Sequence, residues 1–321
     1  MPSVEIPPDV LRLAEARAVA RRAHDWATAD LLKAELVAAG WKVIDAGTLY
    51  SLERAAAPDV EADGVIRHGS SASVPSRLGE AEVGSVTVVL AADAWSGDLL
   101  AVIDAVCAGL PNCQVVVVAG GTTATQDAAL DSLPGGVEVV RLAPWLGRAA
   151  AFNAGIRRAS AGVVVVVGGS IEADGDLLSA LETALQDPTV AVAGPFGVVS
   201  DDLRHFEAAP PEAGDVLAID GAVMAFRRAD YVTRGPFDEH FASGPYLDVW
   251  WSLVLRDLAE DDPDDAPPRR AVQVASAHVT RHAIGEPRVL PAGHRERLAK
   301  KNLYRLLKRF ATRRDLLVGG E

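Results

Sequence analysis

Cysteine is almost missing from this chain. Cys107 and Cys113 are its only two in 321 residues, which leaves no disulfide framework and no zinc spacing and fits buried free thiols in a reducing cytosol. Aromatic residues are also scarce, at 5%. Ala and Val dominate instead, and small and β-branched residues suit helices packed on buried sheets. No apolar stretch is long: runs such as 163–167 are far too short to cross a bilayer. Residues 1–8 include Glu5 and lack the apolar core of a signal peptide, so the expected location is the cytoplasm. Positive charge is in deficit as well. The net charge of −13 repels a phosphate backbone and disfavours bulk nucleic-acid binding.

The charge is unevenly spread. Residues 288–321 hold ten basic and three acidic side chains, +7 in all, which leaves −20 on the rest of the chain. Four regions are expected: a helical hairpin module at 1–52, a linker at 53–84, an α/β domain at 85–290 and a basic amphipathic helix at 291–321. In the first, helices are predicted over about 8–24 and from an Asp25 N-cap to Gly40, with Leu32 and Leu36 on one face and a short strand after Trp41. The linker is marked by Pro58, Gly64, Gly69 and the Ser-rich stretch 70–76, with room for one short strand.

From Ser85 the pattern alternates. Apolar runs at 86–90, 114–118, 137–141, 163–167 and 190–193 read as strands buried on both faces. Helices are predicted between them near 98–110, 125–133, 147–159 and 175–186. Such alternation defines a doubly wound α/β sheet with its ligand site beyond the carboxyl ends of the strands. Further strands are predicted at 216–219, 222–226 and 272–275, and helices at 246–257 and 292–313.

Three blocks carry a family resemblance: the strand and helix from 86, then Gly147-Arg148-Ala149-Ala150-Ala151-Phe152-Asn153-Ala154-Gly155, then 221–228 with Gly235-Pro236-Phe237-Asp238-Glu239 and Asp248. Together they resemble a family-2 glycosyltransferase of GT-A fold, a doubly wound mixed sheet, over residues 85–285. The resemblance implies a nucleotide-sugar donor. It implies Asp248 as catalytic base, Asp93, Gly121, Arg148, Asn153 and Ser170 around the donor, and Asp238 and Trp250 on the acceptor side. It also implies Mg or Mn, which the family holds with an Asp-x-Asp pair. Here that pair falls on Gly168-Gly169-Ser170, with no carboxylate. Glu172, Asp174, His278 and His282 are the displaced candidates for a metal, and acids at 172–176 also suit the cap of the next helix. The acid that usually ends the second strand falls on Ala119.

The N-terminal stretch containing Arg17, Ala20, Arg21, Asp25-Trp26, Ala29-Asp30 and Leu32 is similar to the small module that ends bacterial cysteinyl-tRNA synthetases. That similarity implies tRNA contact; a helical hairpin used only for packing or oligomerisation is the competing reading. The basic helix at 292–313 suits either a membrane surface or its own domain. Three functions therefore stand open: an active glycosyltransferase, an inactive relative kept as a binding scaffold, and a tRNA-linked accessory protein.

Overall fold

In the computed structural model, the described residues are all except 1–6, 47–48, 56, 63, 93–98, 108–112, 121, 123, 144–145, 169–170, 175, 242–243, 259–266, 282–291 and 318–321. The chain divides into two compact units, Met1–Val60 and Glu61–Glu321.

The first unit contains helices α1 (Pro8–Arg22) and α2 (Trp26–Ala38) and a hairpin of β1 (Trp41–Ala46) with β2 (Leu49–Arg54). Pro8 opens α1, where a missing N–H is harmless. Asp25 caps α2 by accepting the Thr28 N–H at 3.1 Å. Val10, Ala14, Leu36 and Trp41 form a small core. Arg17 is largely buried, and its guanidinium donates twice to the Asp45 carboxylate, both at 2.9 Å, tying α1 to β1.

β3 (Val60–Ala62) spans the boundary, and the second unit goes on with β4 (Val65–His68), continues through β5 (Val86–Ala91), α3 (Leu99–Cys107), β6 (Gln114–Gly120), α4 (Ala124–Asp131) and β7 (Val137–Leu142), and reaches α5 (Arg148–Ile156) and β8 (Val163–Val167). Then come β9 (Ile171–Asp174), α6 (Leu177–Ala184) and β10 (Val190–Gly194). Four short strands follow, β11 (Gly197–Val199), β12 (Glu207–Ala208), β13 (Asp215–Val216) and β14 (Ala218–Ile219). The last elements are β15 (Val223–Arg227), α7 (Arg228–Arg234), α8 (Leu247–Arg256), β16 (Arg270–Gln273), β17 (His278–Arg281) and α9 (Ala292–Phe310).

Ten strands make one sheet in the order β13-β16-β10-β15-β8-β5-β6-β7-β4-β3. The pairs from β8 through β5 and β6 to β7 and β4 are parallel, while β15 runs antiparallel to both of its neighbours, β8 and β10. The sheet is therefore mixed, as expected. The apolar runs are explained by burial on both faces. Side chains alternate, so Val89, Val116, Val118, Val164 and Val166 face the core that includes α5 and α8. Val88, Val115, Val117, Val165 and Val167 face the opposite one with α3 and α6. Each such valine adds roughly 1.5–3 kcal/mol. Gly155 lets α5 lie close on the sheet: a Cβ there would come 2.3 Å from Val89 Cγ1 and 2.9 Å from Val118 Cγ2.

The stretch expected as a linker is largely part of this unit. β4 pairs in parallel with β7, and the buried Arg228 guanidinium donates to the carbonyls of Arg77, Ala159 and Glu80. Arg157 reaches the Val74 carbonyl and Arg158 that of Pro75. Turn-rich composition hid these contacts because they are made by main-chain oxygens, which carry no residue code. The C-terminal helix is also committed to its own unit, since Leu306 and Phe310 of α9 lie fully in the core. No helix among the described residues is long and apolar enough to cross a membrane.

Candidate functional site

Asp248 sits at the carboxyl edge of the central strands. Its Oδ2 accepts the Gly221 N–H at 3.0 Å and its Oδ1 the Val249 N–H at 2.9 Å. The turn it holds is bonded to the end of β8, where the Gly168 N–H donates to the Ala222 carbonyl at 3.1 Å. Burial pushes the Asp248 carboxyl above its ordinary range, with the charge of Asp220 adding to the effect and the backbone N–H groups opposing it. A carboxylate so raised is a better proton acceptor near neutral pH.

Asp220 flanks the same turn and was not singled out from the sequence. Its Oδ1 accepts the Ala222 N–H at 2.8 Å and a hydrogen bond from the Arg281 guanidinium at 2.5 Å. Arg281 lies over the Phe196 ring, 4.5 Å from its centre. It belongs to β17, which pairs with β9 so that Arg281 stands opposite Ile171. An isolated Asp-Gly in the sequence reads as a turn, and only the fold shows that it brings a second acid to the edge.

Arg148 opens α5 behind Gly147, whose φ of 88° requires glycine. It is half-buried, and it has no hydrogen-bond or ion-pair partner among the described residues. A side chain added at Gly168 would meet its Cδ at 3.6 Å. Arg148, Gly168, Gly221 and Asp248 thus share one neighbourhood.

Other candidates are committed elsewhere. Asn153 is buried and saturated: it donates to the Phe237 carbonyl and to Glu239 Oε1, both at 2.9 Å, and accepts from the Phe237 N–H at 2.9 Å and the Tyr231 hydroxyl at 3.0 Å. It has no hydrogen-bonding capacity left for a donor and is a core knot. Burial keeps the Tyr231 phenol protonated, far above its usual value. Trp250 is 8% exposed and packs against Phe241 and Trp251, so it offers no ring face to a sugar. Asp238 accepts from Arg305 at 2.9 Å and joins α9 to the loop between α7 and α8. Burial alone would raise its pKa, but His240 and Arg305 hold it below the ordinary carboxylate range. Glu239 accepts from the Ser71 hydroxyl, another hold on the 53–84 stretch.

Asp93, Gly121, Ser170 and His282 lie outside the described residues, as does the Asp174 side chain. Glu172 and His278 occupy the exposed β9–β17 ribbon, with His278 opposite Asp174 and Thr280 opposite Glu172. Among the described residues, no three His, Cys, Asp or Glu side chains stand together as a metal site. A divalent ion of the Mg or Mn kind needs several oxygen ligands. The described residues at the Gly168 edge do not supply them.

The fold that carries this site is that of the GT-A glycosyltransferases. Residues 88–241, just under half of the chain, match the family model "Glycosyl transferase family 2". The crystal structure of GalNAc-T7 with UDP, GalNAc and Mn2+ superposes with a TM-score of 0.55 at 13% identity, covering 70% of this chain and 47% of that one. The crystal structure of S. aureus TarS 1-349 in complex with UDP covers 73% and 75% at 13% identity, with a TM-score of 0.47. The curated cysteine–tRNA ligase of Opitutus terrae is 50% identical over 54 residues, 17% of this chain and 12% of that protein. The chain thus spans less than half of GalNAc-T7 and a small part of the ligase.

Proposed function

We propose that the second unit transfers a sugar from a nucleotide-sugar donor, with Asp248 as the base. The observation that carries this is the Asp248 carboxylate, fixed by the Gly221 N–H at the edge where such sheets bind ligands. In the step, Asp248 takes the proton of an acceptor hydroxyl as that oxygen attacks the anomeric carbon. The bond from that carbon to the diphosphate oxygen breaks, and nucleoside diphosphate leaves. Arg148 offsets the negative charge that develops on the leaving group. No step runs through a metal, because the described residues do not fit one.

The test is incubation of the full chain with a panel of nucleotide sugars, followed by assay for released nucleoside diphosphate. Turnover on at least one donor, lost in Asp248→Asn, is the expected result. Silence on every donor, together with no binding of any nucleoside diphosphate, favours a scaffold of the same fold; the burial of Asn153 and Trp250 is the observation on that side.

For residues 1–52 the likeness to a cysteine–tRNA ligase supports a helical module carried beside the transferase unit. Packing or oligomerisation is its proposed use, since the acidic body opposes tRNA. A salt-sensitive gel shift with total tRNA would reverse that choice. The proposed location is the cytoplasm.

A further inference from the structure

We infer that this unit binds the diphosphate of its nucleotide without a divalent cation, with the Arg148 guanidinium as the counter-charge. The inference rests on the nucleotide-sugar reading and adds how the ligand's charge is met.

Position 168 closes β8 at the ligand edge, and it is sealed against any side chain. A Cβ there would lie 2.5 Å from the Gly221 carbonyl oxygen and 3.0 Å from Phe152 Cζ. Real Cβ atoms do not come so close to backbone oxygen, and this backbone has little room to yield. The Gly221 N–H is held by Asp248, the Ala222 N–H by Asp220, and the Ala222 carbonyl by the Gly168 N–H. A carboxylate at position 168 is therefore excluded by packing as well as by residue type.

What stands beside that point is a cation. Arg148 Cδ lies 3.6 Å from where the 168 side chain would begin. Three other arginines of this unit have partners: Arg228 takes carbonyls, Arg281 takes Asp220 and Arg305 takes Asp238. Arg148 has none among the described residues, although it is half-buried. An unpaired, partly desolvated guanidinium needs an anion, and its planar fork matches phosphate oxygens. Two acids described at this edge are engaged already, Asp220 by Arg281 and a backbone N–H, Asp248 by two backbone N–H groups.

The test is calorimetric titration of the full chain with uridine, guanosine, cytidine, adenosine and thymidine diphosphates, in excess EDTA and separately with MnCl2. The expected result is binding of at least one nucleotide with the same affinity in both buffers. Arg148→Met should weaken that binding by roughly tenfold or more, the scale of a charged hydrogen bond. Arg148→Lys should recover part of it, and melting curves confirm that both variants fold. Gly168→Asp should lower the melting temperature and confer no manganese requirement. Binding that appears only with manganese, or Arg148→Met binding as the wild type does, overturns the inference and leaves the nucleotide reading intact. No binding of any diphosphate in either buffer overturns both.

Discussion

Asp220 and Asp248 hold successive N–H groups of one turn: Asp248 accepts the Gly221 N–H at 3.0 Å, and Asp220 accepts the next N–H, that of Ala222, at 2.8 Å. Only Asp220 is balanced by a cation, Arg281. The Asp220 charge makes Asp248 harder to ionise.

The first prediction concerns pH. Burial, and then the Asp220 charge, raise the Asp248 pKa. The acid limb of transferase activity should therefore lie above the ordinary carboxylate range. Asp220→Asn removes the charge contribution, so that limb should move to lower pH. A pH–rate profile of the two proteins checks this, and an unmoved limb would show that burial alone sets the value.

Stability should follow the opposite course. Because the folded pKa of Asp248 is the higher one, ionisation favours the unfolded chain. This carboxyl's effect is neutral at low pH, and stability is lost as pH rises from about 3.9 through the folded value. Asp248→Asn should flatten that part of the melting-temperature curve while lowering turnover by about 10²–10⁴-fold.

Asn153 is a core knot on this structure, and its loss should be a folding defect. Asn153→Ala leaves the Phe237 N–H and carbonyl and the Tyr231 hydroxyl without their partner. Urea denaturation should show a loss of about 1–3 kcal/mol or more. The affinity of the folded fraction for nucleoside diphosphate should stay unchanged; a selective loss of affinity would return Asn153 to the ligand site.

Helix α5 lies so close to the sheet that Gly155→Ala should cost about 1–3 kcal/mol through overpacking against Val89 and Val118. Val89→Ala makes room, so the double variant should lose less than the sum of the two single changes. Additive losses would mean that the helix relieves the contact in another way.

In the first unit, the Arg17 hydrogen bond holds Asp45 below its ordinary pKa against the effect of burial. The stability this supplies is present above about pH 3.9 and disappears as pH falls through the folded value. Arg17→Met should weaken acid resistance in the helical signal of residues 1–60 prepared alone, a unit compact in its own contacts.

Much of the architecture was legible because burial on both faces writes valine runs directly, and β5, β6, β8 and β10 fall where those runs do. Asp25 was legible as a cap because a side-chain acceptor before a helix has one local use. Asp248 was singled out by resemblance, and it holds the Gly221 N–H at the sheet edge. What stayed hidden depends on partners distant in sequence. Asp220 gains meaning only when Arg281 arrives from β17, sixty-one residues later. Asn153 and Trp250 looked like ligand residues, yet each faces inward, and helical position alone does not reveal which face of α5 or α8 a sheet will cover. The Arg227-Arg228 pair likewise clamps carbonyl oxygens of Leu185, Val190, Arg77 and Glu80.

The Arg228 clamp decides where the transferase unit can be cut. An expression fragment begun at Ser85 would strip Arg228 of the Arg77 and Glu80 carbonyls and uncover the outer rim of β7. It would carry a stranded inner charge and a raw sheet border, and such borders recruit other chains. A piece begun before Val60 keeps both covered.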